Sequence, residues 1–308
     1  MRIICGVDVA KAWLDAWIEP AGHRRFGNDA DGVAALARCR EHDADLVVME
    51  ASGGIEQPAF LTLWRAGQAC ALANPRAVRG FARAMGYLEK TDRIDAEMIA
   101  GYAAARRLAP TPPPSDDQRR LTALAARMRQ VTADLSVQKQ RLHGAADPAA
   151  HASLVEAIAF FTQQAKALAR EIAALVAADP LWHALDQTIR SVKGLADRTV
   201  AVLLADLPEL GTLSNKAIAK LVGLAPLPND SGIHHGKRSI RGGRASVRSI
   251  LFLVADVARK FDPDLTDFRQ RLLDQGKPKM VARIALARKL LVRLNAKARE
   301  TRAALNPA

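Results

Sequence analysis

Apolar positions in the first hundred residues alternate between strand-like and helix-like spacing. Short apolar or alternating runs predict strands over residues 3–9, 12–18, 46–49 and 69–73. Apolar side chains three or four residues apart predict helices over residues 30–40, 56–66, 75–85 and 93–106. The first two strands follow each other closely enough to form a hairpin. This alternation indicates a mixed α/β layer fold.

A proline-rich segment at residues 109–114 ends this pattern, because proline lacks a backbone N–H and restricts the residue before it. Beyond it, helical spacing over residues 116–142 and 152–178 predicts an antiparallel helical hairpin or coiled coil. Such a hairpin is suited to oligomerisation or to spacing two domains.

The last third of the chain is expected to be mostly α-helical. A turn-rich stretch at residues 224–243 interrupts it, and a basic amphipathic helix over residues 279–302 ends it. We therefore predict three domains, at residues 1–110, 115–180 and 181–308.

The positive charge of the chain is concentrated in this last third. Residues 181–308 contain 23 lysines and arginines against 11 aspartates and glutamates, whereas residues 1–110 contain 14 of each kind. Such an excess is expected of a protein that binds a nucleic-acid backbone, because each neutralised phosphate releases counterions. A solubilising surface or contact with an acidic membrane would explain the same charge.

Composition also bears on cellular location and on cysteine chemistry. No stretch approaches the roughly 20 apolar residues that span a bilayer, so we expect a cytoplasmic protein with no membrane partner. The three cysteines, Cys5, Cys39 and Cys70, lack the paired spacing of a zinc site and are expected to be buried apolar side chains.

Four carboxylates stand at the ends or starts of predicted elements. Asp8 and Glu50 end the first and third strands, and side chains just beyond strand ends converge on one edge of an α/β sheet. Asp92 and Asp95, three apart at a helix start, share a face. Clustered carboxylates repel one another unless a cation neutralises them, and their oxygens suit Mg²⁺ or Mn²⁺. The pattern predicts a metal site for phosphoryl transfer.

Each of these carboxylates has a simpler explanation when it is taken singly. Asp92 fits a helix N-cap, and Asp95 complements the helix dipole. Acidic side chains are in general mostly solvated surface residues. The joint pattern of two strand ends and an Asp-x-x-Asp helix start nevertheless favours a site.

A basic, glycine-rich segment follows Ser231. Glycine lets backbone N–H groups approach phosphate, and arginine holds phosphate with two parallel hydrogen bonds. Ser231 could attack a phosphodiester if a base or a metal assists its deprotonation, although a turn serine bonding its own backbone is the simpler explanation of this residue alone. His234 and His235 are assigned no role. We predict nucleic-acid contacts from Lys237, Arg238, Arg241, Gly242, Gly243, Arg244 and Arg248.

These motifs together resemble the DEDD transposases of insertion-sequence family 110, relatives of the Piv-type DNA invertases, and the resemblance covers nearly the whole chain. The motifs similar to the family's RuvC-like domain are Gly-Val-Asp-Val-Ala-Lys at 6–11, Val-Met-Glu at 48–50, Asn-Pro-Arg at 74–76 and Lys-Thr-Asp-Arg-Ile-Asp-Ala at 90–96. Those similar to its C-terminal domain are Gly-Leu-Ala-Pro at 223–226, Asp-Ser-Gly at 230–232, the glycine and arginine run at 236–244, and Gly-Lys-Pro-Lys at 276–279.

The resemblance implies an RNase H-like N-terminal domain in which Asp8, Glu50, Asp92 and Asp95 bind Mg²⁺ or Mn²⁺. It implies that Ser231 is the nucleophile of a covalent serine–DNA intermediate, which reverses the interpretation of this serine as a turn residue. It further implies double-stranded donor and target DNA, a structured noncoding guide RNA, and a homo-oligomer, a tetramer held partly by the coiled coil. The active protein would then associate with the bacterial nucleoid.

Two other functions fit the same sequence features. The chain could be a metal-dependent nuclease of the Holliday-junction type, in which water is the nucleophile and Ser231→Ala retains cleavage. It could instead be a noncatalytic nucleic-acid-binding protein, in which substitution of the carboxylates leaves activity in cells unchanged.

Overall fold

Residues 2–19, 21–38, 44–89 and 91–305 are described by a computed structural model. Cys39 and Lys90 lie outside these ranges, and the side chains of His234 and His235 are likewise outside the described part. The chain divides into an N-terminal unit, Met1–Pro114, and a C-terminal unit, Ser115–Ala308. The boundary lies at the end of the proline-rich segment.

The N-terminal unit is built on a five-stranded mixed sheet in the order β3-β2-β1-β4-β5. Its strands are β1 (Ile4–Val9), β2 (Trp13–Ile18), β3 (Gly22–Gly27), β4 (Leu46–Glu50) and β5 (Cys70–Ala73). Strands β1, β2 and β3 form an antiparallel meander, whereas β4 pairs parallel to β1 and β5 pairs parallel to β4. The predicted strands are confirmed, and β3 is an addition.

Four helices cover the two faces of this sheet. They are α1 (Ala30–Arg38), α2 (Gln57–Arg65), α3 (Pro75–Ala84) and α4 (Asp92–Arg106). Val47 and Met49 of β4 pack in one core with residues of α1 and α2, whereas Val48 packs in a second core with residues of α3 and α4. Alternate residues of a strand point to opposite faces, so the sheet is buried on both sides. The predicted mixed α/β layer fold is confirmed.

Local hydrogen bonds determine where two of these helices begin. Asn74 accepts hydrogen bonds from the backbone N–H groups of Arg76 and Ala77 at the start of α3. Thr91, in extended conformation, accepts one from Ile94 at 3.3 Å and is the N-cap of α4. The alternative interpretation of Asp92 as that N-cap is therefore wrong, because Asp92 is already the first helical residue.

The C-terminal unit is mostly helical, as expected. Its helices are α5 (Asp116–Leu142), α6 (Pro148–Ala178), α7 (Pro180–Arg190), α8 (Asp197–Asp206), α9 (Asn215–Val222), α10 (Ala245–Ala258), α11 (Pro263–Asp274) and α12 (Lys279–Leu305). A short 3₁₀ helix spans Arg259–Phe261, and two short strands, β6 (Asp230–Ser231) and β7 (His234–His235), pair antiparallel.

The long helices α5 and α6 form the predicted antiparallel hairpin. Helix α6 begins four residues earlier than its apolar spacing indicates, because Asp147 accepts a hydrogen bond from the Ala150 N–H and Pro148 occupies the first turn. The base of the hairpin, including Leu121 and Ile172, belongs to the same apolar core as the following helices. The outer part exposes apolar side chains such as Phe160.

Two expectations from composition, the burial of the cysteines and the absence of a membrane-spanning segment, can be compared with the structure. The thiols of Cys5 and Cys70 are buried, as expected, and burial raises the pKa of Cys70 to about 12. Cys39 lies outside the described residues. Within the described ranges, every helix is too short or too polar to cross a membrane.

Candidate active site

The carboxylates of β1 and β4 lie on the sheet face that α4 covers. Val7 of β1 pairs with Met49 of β4 in parallel register, so the following residues, Asp8 and Glu50, are neighbours at the same sheet edge. Val7 and Met49 belong to the core on the α1 and α2 side, and alternation therefore turns Asp8 and Glu50 towards the opposite face. Both acidic residues are half-buried. Backbone pairing alone thus brings these two predicted site residues together.

Helix α4 packs directly on β1 because Gly6 has no side chain. A methyl group at Gly6 would overlap the Ala96 carbonyl oxygen and would lie 2.5 Å from the Ala100 nitrogen. This close approach fixes the height and direction of α4 over the sheet. Asp92 and Asp95 both lie in the first turn of that helix, where Asp95 is half-buried and Asp92 is exposed.

A buried aspartate beside Asp8 is part of the same face and was missed by sequence reasoning. Asp15 of β2 pairs with Asp8 across the antiparallel strands and is only 1% exposed. It accepts hydrogen bonds from His23 Nε2 at 2.7 Å and from Arg25 Nε at 2.9 Å. Burial raises the pKa of Asp15, but the hydrogen bonds from Arg25 and His23 outweigh burial and hold that pKa below its ordinary value.

Arg25 links this buried aspartate to one of the four predicted ligands. The same Arg25 Nη2 that binds Asp15 Oδ2 at 3.0 Å also lies 3.1 Å from Asp92 Oδ2. Asp92 is therefore held in a salt bridge to β3. A signal for this network was present in the sequence, since Asp15 interrupts an otherwise apolar strand of Trp, Leu, Ala, Trp and Ile at 13–18.

The donor chemistry of this face suits a hard divalent cation. Its side chains supply carboxylate oxygens, and Asp8, Glu50 and the first turn of α4 are brought to one region of one sheet face. Among the residues that the structure describes, however, no group of three or more His, Cys, Asp and Glu side chains is arranged to hold a metal ion. The four-carboxylate metal site remains a prediction.

Ser231 lies on a small β-hairpin in the C-terminal unit. The hairpin closes where the Leu227 N–H donates to the Ser239 carbonyl at 2.9 Å, and β6 pairs with β7 so that Ser231 faces His234 along the backbone. Gly232 follows the serine with a φ of 57°, a conformation that glycine adopts without strain. Ser231 and Gly232 are exposed, and Ile233 is fully exposed. We call residues 227–239 the serine hairpin.

The basic residues after the serine fall into two groups. Lys237, Arg238 and Arg241 are exposed, as are Gly242 and Gly243. The Arg244 guanidinium instead forms a salt bridge with Glu209 and donates to the Asp206 carbonyl at 3.0 Å. Arg248 donates to the carbonyl oxygen of Gly242. Sequence reasoning treated all of these cations alike because the sequence does not show which of them have protein partners, such as Glu209 for Arg244.

Two family models match consecutive parts of this chain. A transposase model of the DEDD type from IS110 matches residues 5–149, and a transposase model of the IS116/IS110/IS902 family matches residues 186–270. The first match contains all four predicted carboxylates, and the second contains Ser231 with its basic segment.

Relatives with similar sequences carry related names. The pilin gene-inverting protein of Moraxella lacunata is 26% identical over 301 residues, which cover 93% of this chain and 92% of that protein. The pilin gene-inverting protein of Moraxella bovis is 28% identical over 225 residues, 71% of this chain and 69% of that protein. An uncharacterized 43.6 kDa protein of insertion element IS110 from Streptomyces coelicolor is 32% identical over 138 residues, 44% of this chain and 33% of that protein.

Proposed function

The chain belongs to the IS110 family of transposases, and from this premise we propose that it recombines DNA through a covalent bond between Ser231 and a DNA phosphate. It is a DNA transposase or recombinase, so the noncatalytic alternative is set aside. The observation that carries the serine mechanism is the exposed position of Ser231 on a hairpin that leads directly into the exposed cations Lys237, Arg238 and Arg241.

The proposed reaction exchanges one phosphoester for another. Ser231 Oγ forms a bond to the phosphorus, the bond from phosphorus to one sugar oxygen breaks, and that oxygen accepts a proton and leaves as a hydroxyl. A sugar hydroxyl of another strand then attacks the phosphoserine, and the serine hydroxyl is regenerated. Because each step replaces one phosphoester by another, no external energy source is needed. The exposed cations would hold the phosphate and balance its charge during both steps.

The sheet face that carries Asp8 and Glu50 beneath the first turn of α4, here called the carboxylate face, would hold the metal for this reaction. Asp8, Glu50, Asp92 and Asp95 would bind Mg²⁺ or Mn²⁺, with Asp92 joining them once its salt bridge to Arg25 opens. A bound divalent cation would supply charge stabilisation at the phosphate and assist deprotonation of the nucleophile. The ion pair between the buried Asp15 and the exposed Arg25 supports this assignment, because it fixes β2 and β3 beside Asp8.

The finer features of the family resemblance are part of the same proposal. A mixed sheet with carboxylates at adjacent strand ends supports an RNase H-like N-terminal domain. Exposed apolar side chains on the outer part of the α5–α6 hairpin, among them Val155 and Phe160, support a coiled-coil contact within a homotetramer. The basic C-terminal part supports binding of double-stranded DNA and of a structured guide RNA in the bacterial nucleoid.

The test is carried out in cells that hold the gene with its native flanking DNA on a plasmid. Recombined junctions are amplified for the wild type and for Ser231→Ala, Glu50→Ala and Ser239→Ala; the last variant removes another exposed hydroxyl of the same hairpin. We expect junctions with the wild type and Ser239→Ala only. Junctions that persist in Ser231→Ala would favour a water-dependent nuclease and contradict the covalent mechanism, and junctions in Glu50→Ala would contradict the metal site.

A further inference from the structure

We propose that Arg244 and Glu209 are positioning residues that fix the orientation of the serine hairpin, and that Arg244 does not contact nucleic acid. This inference rests on the proposed role of Ser231 and adds two residues to it.

The internal bonds of the serine hairpin maintain its shape but not its direction. Two backbone hydrogen bonds connect its legs outside the paired strands: Leu227 N–H to Ser239 at 2.9 Å, and Gly236 N–H to Asn229 at 3.1 Å. The side chains described at its tip, those of residues 231–233, are exposed and do not pack in an apolar core. An isolated two-stranded hairpin is marginally stable in water, and its orientation must come from the segments that attach it.

The returning segment is pressed against the end of α9. The Arg244 N–H donates to the Leu221 carbonyl at 3.1 Å. Gly223 and Gly243 have φ values of 79° and 73°, and a methyl group on either would overlap the backbone of the other's segment. Two glycines in close backbone contact fix the separation of the segments. The glycine contact does not prevent the returning segment from rotating against α9, so side chains must limit that rotation.

The Arg244 side chain limits the rotation of the returning segment. Both of its terminal nitrogens bond to the Glu209 carboxylate, and one also donates to the Asp206 carbonyl at 3.0 Å. Such a paired contact restricts direction as well as distance. Glu209 lies between Leu207 and Leu210, which are both 1% exposed, so the acceptor is anchored in the core.

The Glu209 side chain is ionised at neutral pH, because its pKa lies below the ordinary glutamate value. Burial raises the pKa of Glu209, but the hydrogen bonds and the charge of Arg244 outweigh burial and leave that pKa below its ordinary value. Because the Arg244 donors are occupied by protein acceptors, this arginine differs from the exposed Arg241, three residues earlier. The two arginines should therefore respond differently to substitution.

The matched variants are Arg244→Lys and Arg241→Lys, with Glu209→Gln as a second disruption of the pair. A lysine retains the charge but loses the paired geometry. Affinity is measured with the purified full-length chain and a random-sequence DNA duplex. Backbone hydrogen exchange across residues 227–243 is measured on the same samples, and junction formation is measured in the plasmid-bearing cells.

We expect Arg244→Lys and Glu209→Gln to speed hydrogen exchange in the hairpin and to leave duplex affinity within about twofold of the wild type. Junction formation should fall on the order of 10²-fold, the effect of displacing a reacting group by about 1 Å. Arg241→Lys should leave hairpin exchange unchanged and weaken duplex binding.

A charge exchange of the pair provides a rescue. The double variant Glu209→Arg with Arg244→Glu should restore slow hairpin exchange and part of the junction yield that either single variant loses. Unchanged exchange in both Arg244→Lys and Glu209→Gln, or weakened duplex binding in Arg244→Lys equal to that in Arg241→Lys, would overturn the inference. Junctions that persist in Ser231→Ala would contradict the role of Ser231 as the nucleophile. Hydrogen exchange in the Arg244 and Glu209 variants tests the attachment of the hairpin independently of that result.

Discussion

The carboxylate face and the serine hairpin are held in place by different kinds of interaction. Asp8 and Glu50 extend two adjacent parallel strands whose other residues are buried on both sides, so a ladder of backbone hydrogen bonds fixes their spacing. Ser231 stands on an exposed hairpin whose returning segment is attached by the Arg244–Glu209 ion pair, by the contact between Gly223 and Gly243, and by hydrogen bonds of the Arg244 N–H and the Arg248 side chain. The register of paired strands changes only if the sheet is disrupted. By contrast, we expect the substitution of one attaching side chain to reorient the hairpin.

This difference predicts that the carboxylate face is sensitive to packing against the sheet. Gly6→Ala should lower the free energy of unfolding by about 3 kcal/mol, the upper part of the range for overpacking, because the added methyl group meets the backbone of α4. The measurement is chemical denaturation followed by circular dichroism.

Gly80→Ala is the matched control for that substitution. A methyl group at Gly80, within α3, meets nothing within 4 Å. This change should stabilise the protein by roughly 0.5–1 kcal/mol through the higher helix propensity of alanine. Equal effects of the two substitutions would show that α4 does not rest on β1 as described.

The second prediction is a loss of affinity for a divalent metal, equivalent to about 1.4–2.7 kcal/mol of binding free energy. Glu50→Gln should weaken Mn²⁺ binding about 10–100-fold, a change that even neighbours of metal ligands produce. Titration calorimetry or electron paramagnetic resonance measures the affinity. Glu19→Gln is the control, because Glu19 is exposed and follows the last residue of β2, away from the Asp8–Asp15 pair. Equal Mn²⁺ affinity in the wild type and Glu50→Gln would exclude Glu50 from the metal site.

The smallest predicted effect is the pH dependence of the ion pair that attaches the serine hairpin. The pKa of Glu209 is lower in the folded protein than its ordinary value of 4.5. Its stabilisation is therefore present above that value and is lost as pH falls through the lower folded-state pKa. At pH 7, Glu209→Gln should cost about 1.5 kcal/mol, the lower end of the range for hydrogen bonds to charged groups.

Denaturation of the wild type and of Glu209→Gln at a series of pH values tests this sign. The difference in unfolding free energy should shrink as pH falls below 4.5, the ordinary glutamate value. A difference that stays constant into the acid range would contradict a stabilising charge on Glu209.

Sequence patterns predicted the part of the molecule that local periodicity determines. The apolar strands of the sheet and the helices that cover it follow from spacing, and Asp8 and Glu50 were placed at one edge from strand ends alone. Strand β3 was missed because His23, Arg24, Arg25 and Phe26 show no alternation of apolar and polar residues. Strand β3 forms because its backbone pairs with the N–H and C=O groups on the side of β2 that faces away from β1.

The contacts that could not be predicted join residues far apart in the sequence. Glu209 and Arg244 are 35 residues apart, and Arg25 and Asp92 are 67 apart. The sequence analysis predicted that Arg244 contacts nucleic acid, because composition carries no information about tertiary partners. Only the folded chain distinguishes Arg244, which binds protein, from Arg241, which is exposed.

The most direct test of the account is to look for nucleotide bound to Ser231. Protein is isolated under denaturing conditions from cells carrying the gene with its native flanking DNA, digested with nuclease and protease, and analysed by mass spectrometry. We expect a peptide that carries a nucleotide on Ser231 in the wild type, and we expect this peptide to be absent in Glu50→Ala. Active recombination with the nucleotide on a different residue, or with none on the protein, would contradict it.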